Sequence, residues 1–293
     1  MSASLMAVFF AFGNAMGSST FGLLVRRGER FANATTGVLI GLLVNLPIMG
    51  AAAWYFWDPA WWNPWGILCF AIDGVLGPPV GRVLMFLSIQ RLGLARTAPL
   101  MSTLPLAASL LGIAFLGERP GLPILAGTLL VAAGCAAITS RRGGGGGWDR
   151  RNLWLPFAAV GAFALGHLFR KVGLGLIPSP LFGLTMLSLT GALFLYPLGQ
   201  LLPEAHRPRP GRWRAWPFYA LVGLVNTVAV GCHFTALRYG DLSVVAPLTS
   251  TGPFFSLLLS GLFLRDLERV TPWLVAGTSL VVLGGGIITW RAL

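Results

Sequence analysis

Apolar residues fill most of this chain in long runs, and polar residues gather in the short gaps between the runs. A helix needs about 20 mostly apolar residues to cross the hydrocarbon core of a bilayer. No gap is long enough for a soluble domain. The pattern predicts an all-α integral membrane protein with ten transmembrane helices. The predicted spans are 5–25, 36–56, 65–89, 92–116, 122–139, 153–175, 181–202, 216–237, 242–264 and 271–290.

The composition agrees with a membrane protein. Charged residues make up 10% of the chain and the mean hydropathy is +0.75, whereas soluble domains carry about 25% charged residues. The net charge of +12 could indicate a nucleic-acid partner. However, the basic residues lie in the short gaps, where such residues set membrane orientation. We therefore expect contact with membrane lipids and none with nucleic acid.

The basic residues are divided unequally between the two sides of the predicted membrane. Most of the 21 lie in gaps after odd-numbered spans, and few lie on the side of the N-terminus, among them Arg170 and Lys171. Because basic loops stay in the cytoplasm, both termini are expected outside it. No Lys or Arg precedes Arg26, so the first span lacks the basic start of a cleaved signal. The excess of Arg over Lys is typical of a GC-rich bacterial genome, and the predicted location is the bacterial inner membrane.

A short sequence occurs twice in the chain. Residues 98–105 read Ala-Pro-Leu-Met-Ser-Thr-Leu-Pro, and residues 246–253 read Ala-Pro-Leu-Thr-Ser-Thr-Gly-Pro. The pair Glu118-Arg119 likewise returns as Glu268-Arg269. The repeat predicts two related parts, a five-helix repeat over 1–140 and another over 153–293. A Gly/Arg-rich linker, 141–152, separates them, and its glycine run is typical of a flexible connection.

Five spans in each part place the second part upside down relative to the first. The predicted fold is therefore two inverted five-helix repeats. Inverted repeats are typical of secondary transporters, whose substrate site lies near the bilayer midplane between the repeats.

Two further stretches carry a family resemblance, Phe-Leu-Gly-Glu-Arg at 115–119 and Ala-Leu-Arg-Tyr at 236–239. With the repeated Ala-Pro-rich fourth helix and the Gly-punctuated fifth helix, nearly the whole chain resembles the EamA-type members of the drug/metabolite transporter superfamily. The resemblance implies transport of amino acids, nucleotide-linked compounds, sugars or drugs, through a cavity lined by the first, third and fourth helices of each half. The chain departs from the family at Gly22, where members often have Lys, whereas the second half keeps Lys171. The usual cytoplasmic termini of the family also conflict with the loop charges.

Charged residues within spans are costly in lipid and are functional candidates by default. Arg82 follows the tandem prolines Pro78 and Pro79, which break the helix and free backbone carbonyls. Arg82 could bind a substrate carboxylate or phosphate, or it could bind a carbonyl or extend to the interface. Asp73 could carry a coupling proton, could pair with Arg82 across the break at Pro78, or could simply be hydrated.

Uncharged polar groups within spans supply the other candidates for substrate binding. These are Asn14, Ser18, Thr103, His167, Asn226, His233 and Thr251. Hydrogen bonding between helices is the alternative for each of them. Helix breaks that could act in gating are predicted at Pro78, Pro79, Pro105 and Pro253.

The function predicted from the sequence is secondary transport of a small metabolite by alternating access, in the direction of export. An amphipathic or anionic compound such as an amino acid is the expected substrate. No Gly-Lys-Ser/Thr phosphate-binding end occurs, the cysteines have no metal or redox spacing, and no catalytic constellation is found. We therefore expect no cofactor, no metal site and no enzymatic activity. A passive channel or facilitator and a lipid-modifying membrane enzyme are the alternatives. A monomer fits these expectations, and the oligomeric state stays open.

Overall fold

The structure, a computed structural model, describes residues 2–28, 30–139, 150–211, 213–263 and 272–293. These residues form α-helices without a strand, so the predicted all-α class is confirmed for them. The glycine run of the linker and the pair Glu268-Arg269 lie outside the described residues. The helices are α1 (Ala3–Gly28), α2 (Ala34–Tyr55), α3 (Pro64–Val75), α4 (Arg82–Leu92), α5 (Leu94–Met101), α6 (Leu104–Leu116), α7 (Leu122–Thr139), α8 (Trp154–Leu176), α9 (Pro180–Gly199), α10 (Trp216–Tyr239), α11 (Leu242–Thr249), α12 (Gly252–Phe263) and α13 (Pro272–Ala292).

Seven helical stretches among the described residues are long and apolar enough to cross a membrane. The helix Leu122–Ile138 is apolar but shorter, and the last two predicted spans are occupied by α11, α12 and α13, which are not among the seven. A multi-pass arrangement is thus supported, and the number ten stays a prediction. The seven stretches are Ala3–Val25, Ala34–Tyr55, Pro64–Leu92, Arg96–Leu116, Arg151–Leu176, Pro180–Gly199 and Trp213–Tyr239.

Polar residues in the connections fix where the helices begin. The side-chain oxygen of Asn33 accepts a hydrogen bond from the backbone N–H of Thr36 at the start of α2. Asn63 and Ser179 cap α3 and α9 in the same way, and each is followed by a proline at the first helical position. Such caps satisfy N–H groups that have no partner inside the helix, and proline suits that position because it has no N–H to satisfy.

Helices of one predicted part of the chain pack mainly against helices of the other part. α1 packs against α10, and the stretch formed by α3 packs against α8. The second helices, α2 and α9, contact each other, as do the fifth helices, α7 and α13. The core between the parts includes Phe70, which is fully buried and lies beside the rings of Phe182 and Phe234. Neither part therefore has a core of its own.

Close helix contacts depend on glycine. α2 and α10 meet at Gly41 and Gly223, and a Cβ atom added to Gly223 would lie 2.7 Å from the Cα atom of Gly41. Membrane helices associate through packing rather than by escaping water, so small residues at the contact allow this approach.

We expect Gly223→Val to destabilise the protein by about 1–3 kcal/mol, because the added methyl groups must push α2 and α10 apart. The matched control is Gly161→Val, since an added Cβ at Gly161 in α8 meets no atom within 4 Å. Thermal unfolding of the purified variants in detergent compares the two. Equal unfolding temperatures would show that the Gly41–Gly223 contact does not limit packing.

Candidate functional site

The repeated sequence forms a helix break in the first part of the chain. α5 ends at Met101 and α6 begins at Leu104, with Pro105 in its first turn. The hydroxyl of Thr103 donates to the carbonyl of Leu100 at 2.7 Å, and the hydroxyl of Ser102 donates to the carbonyl of Ala98 at 3.1 Å. The hydroxyls thus add a second hydrogen bond to carbonyls that also accept backbone N–H groups at the end of the interrupted helix.

The second copy forms the same break between α11 and α12. Thr251 donates to the carbonyl of Leu248 at 2.7 Å, and Ser250 donates to the carbonyl of Ala246 at 2.8 Å. Pro253 lies in the first turn of α12, as Pro105 does in α6. The sequence predicted breaks at both prolines. The structure places the hydroxyls of Thr103 and Thr251 on the backbone of those breaks.

A cavity of about 300 Å³ lies where the two breaks meet. Ser102 and Pro105 line it from the first break, Ser250 and Pro253 line it from the second, and Met85 adds a side chain from α4. The lining is mostly apolar, and the volume falls at the lower end of the range for small-molecule sites. Two other cavities, of about 380 and 360 Å³, lie at connections between helices, beside Asn33 and beside Trp61. Of these three cavities among the described residues, the one at the breaks joins the repeated sequences, so it is the candidate site.

Arg82 lies close to this cavity along α4. It is the first residue of α4 and follows a π-helical turn, Leu76–Gly81, that contains Pro78 and Pro79. Met85 lies three residues later on the same helix face and lines the cavity. Arg82 is half-buried, and its Nε atom is enclosed without a hydrogen-bond partner in the protein. A ligand acceptor could fill that position.

Asp73 pairs with Arg170 rather than with Arg82. The Nε and NH2 groups of Arg170 donate to the two carboxylate oxygens of Asp73 at 2.8 and 3.0 Å. Both residues are buried, and the guanidinium also lies 4.4 Å from the ring centre of Phe234. Arg170 was counted from the sequence as a loop charge on the N-terminal side, and that assignment is wrong. It lies within α8 and is 6% exposed.

The close approach of α3 and α8 depends on Gly166. A Cβ atom at this position would lie 3.0 Å from the Oδ1 atom of Asp73. Gly166 thus leaves space for the carboxylate that Arg170 binds one turn further along α8.

The two histidines predicted as site residues lie next to this ion pair. The Nδ1 atom of His233 is 3.0 Å from the NH1 atom of Arg170, and the rings of His233 and His167 meet edge to face with centres 4.6 Å apart. His233 is buried, whereas His167 is half-buried. The structure therefore brings Asp73, His167 and His233 together around Arg170, which sequence reasoning missed.

The remaining predicted residues lie on α1 and α10. Asn14 donates to the carbonyl of Ala229 at 2.8 Å and so joins α1 to α10, and it donates to the hydroxyl of Ser18 in its own helix at 3.4 Å. Asn226 is half-buried on α10, and Ser18 is exposed. The bond of Asn14 to Ala229 is one of helix packing.

Glu118 and Lys171 together hold the junction between α10 and α11. The carboxylate of Glu118 accepts the backbone N–H groups of Leu242 and Ser243 at 2.7 and 2.8 Å. Gly117 makes the turn that places it, with φ of +66°, a conformation that favours glycine. The Nζ atom of Lys171 donates to the carbonyls of Leu237 and Gly240, both at 2.7 Å. Glu118 thus caps a helix of the other part.

We expect Glu118→Ala to lower the stability by about 1–3 kcal/mol, because it leaves buried N–H groups of α11 without acceptors. Glu204→Ala is the matched control, since its 3.0 Å ion pair with Arg209 is exposed and contributes about 0–1 kcal/mol. Thermal unfolding in detergent measures both. A loss for Glu118→Ala no larger than that of the control would contradict the capping role.

The helices, the paired breaks and the cavity between them define a multi-pass helical membrane protein built from two related sequences. The chain belongs to the EamA-like transporter family, whose model matches residues 5–140 and, a second time, residues 152–290. The resemblance drawn from the repeated motifs is thereby confirmed.

Solved structures share the fold, and 28 chains match it. One of them, described as "Crystal structure of protein", has a TM-score of 0.76 and is 18% identical, and the alignment covers 98% of this chain and 97% of that chain. At this identity the likeness shows the fold alone. Among curated proteins no match was found.

Proposed function

We propose that this protein is a secondary transporter that exports a small amphipathic carboxylate, such as an amino acid, across the bacterial inner membrane by alternating access. One observation carries the proposal. A single cavity is bounded by two helix breaks that the same repeated sequence forms in each part of the chain.

The packing of helices from one part against helices of the other supports two inverted five-helix repeats. α1 packs on α10 and α3 packs on α8, so the first helix of each part contacts the third stretch of the other. Parts related in this way can rock against each other about one site, which then opens to either side. Pro105 and Pro253 loosen the helices that border the cavity, so they are the proposed gating positions.

The lining of the cavity supports the substrate class. Its apolar walls suit an aliphatic or aromatic body, and Arg82 lies one helical turn beyond Met85 with an unpaired Nε. A guanidinium binds a carboxylate through two parallel hydrogen bonds. The proposed substrate thus has a carboxylate and an apolar body, and its carboxylate is oriented toward Arg82. Asn14, Ser18 and Asn226 would then act through the α1–α10 contact.

We expect leucine, phenylalanine, 4-methylpentanoate or 3-phenylpropionate to raise the unfolding temperature of the purified protein, because ligands stabilise the state they bind. Arg82→Ala should weaken that binding about 10- to 100-fold, as loss of a charge-assisted hydrogen bond costs about 1.5–3 kcal/mol. Arg91→Ala, an exposed position on the same helix, is the matched control. Equal affinities for the two variants would remove Arg82 from the site.

Counterflow in liposomes separates a carrier from a passive channel. A carrier preloaded with unlabelled phenylalanine should take up labelled phenylalanine transiently above equilibrium, and the uptake should saturate. Uptake that neither saturates nor responds to preloading would favour the channel.

The loop charges support termini outside the cytoplasm. Burial of Arg170 removes one basic residue from the N-terminal side and so increases the difference between the two sides. We expect a C-terminal reporter that is active only in the cytoplasm to stay silent in cells. A reporter of the opposite kind, active only outside the cytoplasm, should give a signal, and the reverse result would overturn the orientation.

A further inference from the structure

We propose that Arg170, Asp73, His233 and His167 form a binding site for one proton, and that this proton is the coupling ion of the transporter. The coupling role rests on the proposed function, whereas the proton site stands on the geometry of the four residues.

The contacts of Arg170 fix the hydrogen-bond roles around it. A guanidinium has donors only. The Nδ1 atom of His233, 3.0 Å from NH1 of Arg170, must therefore be an acceptor. The ring of His233 is neutral in this arrangement and carries its proton on Nε2. Arg170 gives its other donors to both oxygens of Asp73.

An added proton is incompatible with this set of bonds. If it binds Nδ1 of His233, the imidazolium has no acceptor left for Arg170. If it binds Asp73, the carboxylate loses the charge that makes the bidentate pair strong. In either case a hydronium ion transfers its proton to a nitrogen or oxygen lone pair, its O–H bond breaks to leave water, and a hydrogen bond of Arg170 is lost or weakened. Proton binding thus weakens the contacts that Arg170 makes with its partners.

The bidentate bond from Arg170 to Asp73 joins the two parts of the chain. Asp73 belongs to α3 in the first part, and Arg170 and His233 belong to α8 and α10 in the second. A proton on Asp73 therefore weakens a contact between the parts, as alternating access requires, and a proton on His233 removes a bond that positions Arg170 within the second part.

His167 lies at the edge of the group. The residue is half-buried, and its ring meets the buried ring of His233 edge to face. The Nδ1 atom of His167 and the Nε2 atom of His233 are both enclosed without a hydrogen-bond partner. Because Nε2 of the neutral His233 ring carries a hydrogen, it can donate to an entering water, and His167 can accept a proton on whichever ring nitrogen is unprotonated.

The other charged side chains of these helices are engaged elsewhere. Lys171 binds the carbonyls of Leu237 and Gly240, and Arg238 lies over the ring of Tyr239. Arg82 lies beyond the π-helical turn on the far side from Asp73 along the chain. Asp73, His167 and His233 are accordingly the groups that exchange the proton, and Arg170 is the positioning residue.

Nitrogen NMR of the ¹⁵N-histidine-labelled protein in nanodiscs tests the proton site without any substrate. The chain has three histidines, and the exposed His206 serves as the internal comparison. We expect the His167 and His233 signals to change together with pH, and we expect this joint change to disappear in the double variant Asp73→Asn/Arg170→Gln. The double variant keeps the shape of the pair without leaving a buried charge alone.

Two NMR results would overturn the proton site. The first is independent pH dependence of His167 and His233 in the unmodified protein. The second is an unchanged joint transition in the double variant. An ion pair with a purely structural role would give the second result while the double variant stays folded. Arg170→Lys keeps the positive charge but loses the two-pronged guanidinium, so it should shift the pH of the joint histidine transition.

Transport of labelled phenylalanine in liposomes tests the coupling. The quantity compared is the ratio of phenylalanine accumulation driven by a pH gradient to phenylalanine counterflow. His233→Gln and His167→Gln should each lower this ratio more than tenfold. His206→Gln should leave it unchanged. Retained accumulation in both variants would overturn the coupling role while transport itself stands. If the unmodified protein does not carry phenylalanine, the proposed substrate fails, and the NMR result alone decides the proton site.

Discussion

Lipid offers no hydrogen bonds, so every polar group that this chain carries into the membrane must find its partner within the protein. The constraint explains why the helix breaks have the same composition twice. At each break the Ser-Thr pair before the proline places hydroxyl donors on carbonyls of the preceding turn at 2.7–3.1 Å. The constraint also explains the long-range caps, since Glu118 and Lys171 supply the groups that the ends of α10 and α11 lack.

The same constraint gives the Asp73–Arg170 pair its importance. Burying two charges costs several kcal/mol for each ion, and the bidentate geometry offsets much of that cost. Removing one partner would leave an unpaired buried charge at a cost of about 3–5 kcal/mol, whereas replacing both with neutral groups of similar shape can be tolerated. The pair is therefore weak evidence for stability by itself. Its value lies in joining α3 to α8 across the two parts through a bond that a single proton can break.

Much of the fold could be predicted from the sequence because the repeated motif encodes local structure. The Ser-Thr-x-Pro sequence accompanies a break at both Pro105 and Pro253, and Pro78 and Pro79 accompany the π-helical turn, whereas Pro47 lies inside an unbroken helix. Side-chain pairing could not be predicted in the same way. Asp73 and Arg170 are 97 residues apart, and their contact depends on which helices pack together. Arg170 was treated as a loop charge because it lies near the predicted end of its span beside Lys171. Only the packing of α3 against α8 at Gly166 distinguishes the buried Arg170 from its neighbour Lys171.

The two parts share a scaffold but differ in the chemistry they place on it. In the alignment of the repeats, Met85 corresponds to His233, and Gly22 corresponds to Lys171. Met85 lines the apolar cavity, whereas His233 contacts Arg170 in the buried polar group. The first part thus provides most of the apolar wall and Arg82, and the second provides the imidazoles and the guanidinium of Arg170. Equivalent helix positions would then bind substrate in one part and a proton in the other, so motion of the parts against each other acts on both sites at once.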